Sequence, residues 1–421
     1  MRSRVGPLLT AMFVLNVFGY AAVGGVLQIL LPTQVREAAG DGATSALALI
    51  TGVSAIASLA VPPIAGLLSD RTSSRWGRRA PWILGGGVAT AAALVLLGLA
   101  GSVPGLLVGW FLVQATINIG LNIILSAIPE RIPARRHGLA STVQGLGLPV
   151  GAILGVQLGA AFAGSVAVGY VLLAVLFAVA SALCAFLVRD PHGDRQAVER
   201  RTPAAGLRTM FGSLRFHDYR WVFISRAVLY LGYNMISGFG LYILQDHIRL
   251  PADLTAAEAV ATSGTINLVL VTLGTVVSGP LADRFGHHRA FVVASSLLLT
   301  VSMVVPLAWP SWPAYLVQAA IGGFALGAFL GVDLALATIV LPRTGDAGRD
   351  LGVFHIALNA PQVIAPFLAS VAVNSLGGYP ALFLSAGAIA LLGSLTVLRV
   401  RSGTVTDNKE AVTDDQEMVQ V

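Results

Sequence analysis

Cysteine is nearly missing. Cys184 stands alone in 421 residues, so no disulfide forms within the chain and no thiol pair is available for redox work. Charge is scarce as well: 11% of residues are Asp, Glu, Lys or Arg, against about a quarter in an ordinary soluble domain. That is too little to cover a surface in water. Arginine almost wholly replaces lysine, beside much Ala, Gly and Val, a coding bias without mechanistic content. No Gly-x-x-x-x-Gly-Lys phosphate loop occurs, which argues against nucleotide-driven work. No His-x-x-x-His pair and no pair of acids sits inside an apolar run, which leaves a membrane-embedded enzyme without its chemistry. No metal or organic cofactor is expected.

What is present is apolar: 56% of residues are hydrophobic and the mean hydropathy is +0.80. The apolar residues come in runs of about 20, enough for a helix to cross roughly 30 Å of hydrocarbon. Twelve spans are predicted, at 8–31, 46–69, 82–101, 103–128, 138–163, 166–188, 221–245, 258–282, 289–309, 313–340, 352–374 and 380–400. The start, Met-Arg-Ser-Arg before an apolar run, resembles a signal peptide, but it lacks a clear small-x-small cleavage site and is read as the first span. The net charge of +6 does not point to nucleic acid, because the basic residues lie in short loops rather than on one continuous surface.

Those loops set the orientation. The loops holding Arg71, Arg75, Arg78 and Arg79, then Arg131, Arg135 and Arg136, then Arg284 and Arg289, fall on one side together with the linker 189–220. The other side shows only Arg36 and Arg249. By the positive-inside rule both termini and the linker are cytoplasmic, in a multi-pass protein of the cytoplasmic membrane. The linker divides the chain into six-helix bundles at 1–188 and 221–401. The tail 402–421, with Asp407, Glu410, Asp414, Asp415 and Glu417, is expected to be disordered.

The halves echo each other. After the second span stands Gly66-Leu-Leu-Ser-Asp70-Arg71, continuing to Gly77-Arg78-Arg79. After the eighth stands Gly279-Pro-Leu-Ala-Asp283-Arg284. Pro129-Glu130-Arg131 after the fourth span matches Pro342-Arg343 after the tenth. Six plus six spans, a central linker and the Gly-x-x-x-Asp-Arg…Gly-Arg-Arg loop resemble the major facilitator superfamily over residues 8–400. The longer loop, with Pro81-Trp82-Ile83 after it, and Asp350-Leu-Gly352 with Asn359-Ala-Pro361-Gln362 resemble its glycoside and sucrose cation-symporter branch. The resemblance implies an all-α polytopic membrane protein, two pseudo-symmetric six-helix bundles and transport of a small solute by alternating access. One departure stands out. Sucrose symporters carry a proton-linked acid in the fourth span, where this chain has Val113 and no acid before Glu130. The drug-antiporter signature of the fifth span is also poorly matched, by Gly147-Leu-Pro149-Val-Gly151.

Polar residues inside the spans are the candidate site. Asn16, Tyr20 and Gln28 share a face of the first span, and Gln114, Asn118 and Asn122 a face of the fourth. A carboxamide facing lipid is costly, so these faces turn inward, either to a substrate cavity or to hydrogen bonds between helices. In the resembling fold the first, fourth, seventh and tenth spans line the cavity. The seventh carries Arg226, Tyr230, Tyr233 and Asn234. The tenth carries Asp333, the only acid well inside any apolar run, and such an acid is a functional candidate. By helical rise Asp333 lies about 12 Å and Arg226 about 8 Å from the same membrane face, which permits a pair. Asp333 is read either as the group that takes up and releases a proton, tuned by Arg226, or as half of a permanent ion pair.

In the eleventh span His355, Asn359 and Gln362 share a face. His355 is a second proton carrier or a silent histidine near the cytoplasmic end. Asp70, Arg71, Arg78 and Arg79, with Asp283 and Arg284 as their half-symmetric counterparts, either latch the halves on the cytoplasmic side or only signal topology. Gly147, Gly151, Gly155 and Gly159 form a close-packing seam. Pro62, Pro63, Pro149, Pro361 and Pro366 mark kinks. The expected partners are a small-molecule substrate, protons and the lipid bilayer, with no nucleic acid, for a monomer. Uptake of a sugar or glycoside and export of a drug or secondary metabolite both remain open.

Overall fold

The computed structural model describes residues 5–72, 74, 76, 78–125, 137–188, 214–339 and 347–400. Fourteen α-helices carry the described chain: α1 Val5–Gly25, α2 Leu31–Ala39, α3 Ala43–Arg71, α4 Ala80–Gly98, α5 Val103–Leu125, α6 His137–Ala161, α7 Val166–Val188, α8 His217–Ser237, α9 Gly240–Asp246, α10 Ala256–Phe285, α11 His288–Ala308, α12 Trp312–Ile339, α13 Ala347–Ser375 and α14 Tyr379–Val397. A five-residue π turn, Val26–Leu30, joins α1 to α2. The linker residues 189–213 and the tail 401–421 lie outside the described residues.

Among the described residues, nine stretches are long and apolar enough to cross a membrane, or ten when α8 and α9, bent by 47°, are taken as one broken span. The first, Gly6–Gly66, has 61 residues. At about 1.5 Å per residue it would measure three bilayers, so it has to double back. It does so at Gly40–Gly42, where Gly40 takes φ +52, a conformation costly for any residue with a Cβ. Splitting that stretch, and adding the shorter apolar segment Gly145–Ala161 of α6, is consistent with twelve spans. The prediction ended the first span at residue 31; the helix continues through the π turn to Ala39.

Contacts divide the chain into two compact units. The first holds residues 1–200 with Gly238–Asp246 and Ala252–Thr265; the second holds Arg201–Ser237, His247–Pro251 and the rest from Ile266. The segments 238–246 and 252–265 thus cluster with the first unit although they follow the linker in sequence. Inside each unit the helix pairs repeat. In the first, α1 packs on α6 and α7, and α4 on α5 and α7. In the second, α8 packs on α13 and α14, and α11 on α12 and α14. The same pairing in both units is the pseudo-symmetry that the repeated loops predicted.

Glycine sets the closest approach. A Cβ on Gly151 would meet the Val17 carbonyl at 2.3 Å, and one on Gly155 the Ala21 carbonyl at 2.1 Å. The glycine row is therefore the surface on which α6 lies against α1. The second unit uses the same device between α12 and α10. A Cβ on Gly323 would meet the Asn267 carbonyl at 2.4 Å, and one on Gly327 the Val271 carbonyl at 2.0 Å. Dispersion and close backbone contact hold such helices together where lipid removes the hydrophobic drive.

Candidate functional site

In the second unit, α8 and α12 cross with Arg226 beside Asp333. Nε stands 3.2 Å from Oδ2, with side chains 7% and 3% exposed. The distance is that of an ion pair, but the N–H is not aimed at the oxygen, and neither atom has a hydrogen-bond partner among the described residues. One turn along, the Tyr230 ring meets Phe329 edge-on, centroids 6.2 Å apart. A step of four forward on α8 is matched by four backward on α12, so the helices run antiparallel at this crossing. The Arg226 guanidinium also stands 5.7 Å from the Phe354 ring of α13, which Tyr219 meets edge-on at 4.7 Å. Two ionisable groups are held in an apolar, aromatic wall, where desolvation of their charged forms is costly and mutual attraction offsets it.

The remaining polar residues of α8 serve the same unit. Tyr233 Oη donates to Asn267 Oδ1 at 3.4 Å, and Asn267 Nδ2 donates to the Ala319 carbonyl at 3.0 Å. Asn234 Nδ2 donates to Tyr230 O on its own helix at 2.7 Å. On α13, Gln362 is exposed and its amide reaches Asn359 Oδ1 at 3.4 Å.

In the first unit the amides of α5 form a ladder. Asn118 Nδ2 donates to Gln114 O at 2.7 Å and to Ser58 Oγ of α3 at 3.3 Å; Asn122 Nδ2 donates to Asn118 O at 2.9 Å. Gln114, Asn118 and Asn122 are all part-exposed. The α1 stripe divides. Tyr20 and Gln28 are part-exposed, whereas Asn16 is 1% exposed, bonds Met12 O at 2.8 Å and fills the space over Gly147. Asn16 is therefore buried in the α1–α6 seam. Gln28 sits within the π turn, an irregularity that recurs at functional sites.

Of the loop cassettes, Gly66 and Gly279 are helical and part-exposed. The side chains of Asp70, Arg71 and His355 lie outside the described residues. Arg79 is 6% exposed and Arg78 part-exposed. Trp82 Nε1 donates to Thr72 Oγ1 at 2.8 Å and ties α4 back to the end of α3. In the second unit the exposed Asp283 accepts from His288 Nε2 at 2.9 Å, while Arg284 points to the exterior. A groove of about 550 Å³ along α4, lined by Trp76, Pro81, Gly85 and Ala89 among others, holds no titratable group.

Sequence reasoning missed one cluster. Arg36 of α2 grips Asp246 of α9 through both nitrogens, at 2.9 and 2.6 Å. Its guanidinium lies 4.4 Å over the Tyr242 ring, and Tyr242 Oη donates to the Pro32 carbonyl at 2.9 Å. Elsewhere in the first unit Gln157 Nε2 donates to Thr265 Oγ1 at 3.0 Å. The signal was Arg36 itself, one of two arginines on a side otherwise free of them.

Residues 12–342 match the family described as MFS/sugar transport protein. The chain is 25% identical over 327 residues to the fosmidomycin resistance protein of Escherichia coli strain K12, covering 73% of this chain and 72% of that one. It is 26% identical over 274 residues to the lactose permease of Lactobacillus delbrueckii subsp. bulgaricus, covering 60% of this chain and 43% of that protein. The fold is similar to the crystal structure of the nucleoside transporter NupG, with TM-score 0.76 and 13% identity over 93% of this chain and 98% of that one.

Proposed function

This chain belongs to the MFS/sugar transport protein family, and from that premise we propose a proton-coupled carrier of a sugar or glycoside that works by alternating access. It is a membrane transporter of multi-pass helical build, not an enzyme. The observation that carries the coupling is the Arg226–Asp333 pair. An acid 2% exposed among aromatic side chains holds its charge only while the guanidinium stays beside it. Moving α8 against α12 would leave Asp333 to take a proton, and restoring the contact would expel it. The loose geometry of the pair suits such exchange, since no aligned hydrogen bond has to be broken.

The part-exposed amides of α5, with Tyr20, Gln28, Tyr233, Asn359 and Gln362, supply the donors, acceptors and flat rings that a polyhydroxylated substrate requires. The family match and the similarity to a lactose permease support this substrate class. The arginine-rich loops support a reading with both termini in the cytoplasm, as a monomer in the cytoplasmic membrane. The Asp70 and Asp283 loops act as cytoplasmic latches in this reading.

A second reading is export of a drug or secondary metabolite by proton antiport. The 327-residue similarity to the fosmidomycin resistance protein and Val113 in place of the fourth-span acid favour it. One experiment addresses both. Purified protein in proteoliposomes is offered labelled disaccharides and glycosides under an imposed pH gradient, with Asp333→Asn alongside. The proposal expects gradient-driven accumulation that Asp333→Asn abolishes while counterflow persists. Accumulation unchanged in Asp333→Asn sinks the coupling role. A deletion strain that grows normally on single sugars but gains antibiotic sensitivity selects the export reading.

A further inference from the structure

We propose that the arginine-rich ends of α8 and α14 form a binding site for the phosphate headgroup of an anionic phospholipid, centred on Trp221. Arg399, just past α14, places its guanidinium 4.4 Å over the Trp221 ring, and Arg220 lies 6.0 Å from the same ring. Arg215 stacks at 5.0 Å on Phe216 immediately before α8. Arg215, Arg220 and Arg399 are all exposed, and no ion pair joins them to an acid among the described residues. Asp218 shares the turn but is held in a contact of its own.

The surrounding polar groups are already spent. Arg289 donates to the Leu398 carbonyl and His217 Nε2 donates to the Arg399 carbonyl at 3.0 Å, so these two side chains cap the C-terminal end of α14. Arg215, Arg220 and Arg399 have no such task. Arg215 and Arg220 stand at the positive end of the α8 dipole, where a cation is disfavoured and an anion favoured. Arg220 and Arg399, two like charges on the one Trp221 ring, repel each other, and Arg215 adds a third positive charge at the start of α8. A phosphate diester shared between them relieves that repulsion and gives each guanidinium an acceptor.

Charge complementarity and position select the occupant. α14 is a candidate membrane span and α8 is half of a broken one, both with an end here, and Trp with Arg is the composition of a membrane–water interface, where anionic headgroups are concentrated. A tethered phosphate at that depth is a lipid. The site is independent of the transported substrate and of the coupling reading.

The test uses the full-length protein in phosphatidylcholine nanodiscs with and without phosphatidylglycerol. It reads thermal unfolding and, by native mass spectrometry, retained lipid. Wild type is expected to melt higher with phosphatidylglycerol and to retain it selectively. Arg220→Gln with Arg399→Gln should lower the apparent lipid affinity roughly thirtyfold, two near-surface cations being lost, while its melting in phosphatidylcholine alone stays like wild type. Arg220→Lys with Arg399→Lys should restore most of the effect. The proposal is overturned if the Gln pair responds to phosphatidylglycerol as wild type does, or if inorganic phosphate gives wild type the same stabilisation in phosphatidylcholine. A Gln pair that fails to fold is replaced by Trp221→Leu, for which the same loss of lipid selectivity is required.

Discussion

Arg226 on α8 and Asp333 on α12 face each other at 3.2 Å, almost wholly excluded from solvent. Breaking such a pair from one side strands the other charge and costs about 3–5 kcal/mol, whereas replacing both partners with apolar groups is often neutral. Asp333→Leu alone should therefore lower the melting temperature of the purified protein strongly. Arg226→Met with Asp333→Leu should recover most of that loss and still show no proton-driven accumulation. A double variant that both folds and accumulates substrate would make the pair a structural one.

The glycines of α6 provide an internal control. Gly155 lies where a Cβ would sit 2.1 Å from the Ala21 carbonyl, while Gly145 has nothing within 4 Å. One methyl group at the first position forces α1 and α6 apart, and overpacking of this kind costs about 1–3 kcal/mol or more. Gly155→Ala should reduce the yield of monodisperse protein and its melting temperature, and Gly145→Ala should leave both unchanged. Size-exclusion profiles and melting curves of the pair decide it.

These two cases also mark what the sequence makes legible. Spans, loop charge and the repeated Gly-x-x-x-Asp-Arg turns are legible because a bilayer punishes polar backbone and buried charge everywhere along a helix. Asp333 and Arg226 stand out for that reason: a charge in an apolar run is an anomaly with few remedies. Asn16 was not separable from Tyr20, because periodicity assigns a face to a helix but not the neighbour that face meets. Here that neighbour is Gly147. The π turn around Gln28 has no residue signature. The Arg36–Asp246 contact joins positions 210 apart, at helix ends where charge is ordinary.

His247, in the turn after α9, lies beside the rings of Tyr379 and Phe383, at 6.0 and 6.1 Å. Burial there lowers its pKa below the ordinary 6.5. The unfolded chain then binds the proton more readily than the folded one, so this position favours folding above about pH 6.5 and loses that contribution as pH falls below it. His247→Phe should flatten the dependence of melting temperature on pH between about 5 and 7. A variant whose profile overlays wild type would show that other groups set the dependence.

Arg36 and Asp246 make the last case, because their contact is strong in geometry and weak in cost. The pair is bidentate, at 2.9 and 2.6 Å, yet the side chains are 36% and 32% exposed, so water and salt hold its worth to about 1 kcal/mol or less. A contact this cheap opens readily on the timescale of a transport cycle. α2 precedes the linker and α9 follows it, although both lie in the first compact unit; the expected outcome, for a carrier whose sequence halves separate on this side, is that these two residues part. Arg36→Cys with Asp246→Cys should therefore fold and transport when reduced. Cross-linking the two thiols with a short cleavable bismaleimide should stop transport, and cleaving the linker should restore it. Transport that continues at full rate with the cross-link in place would mean that α2 and α9 stay together throughout the cycle, and the opening motion would then have to lie elsewhere.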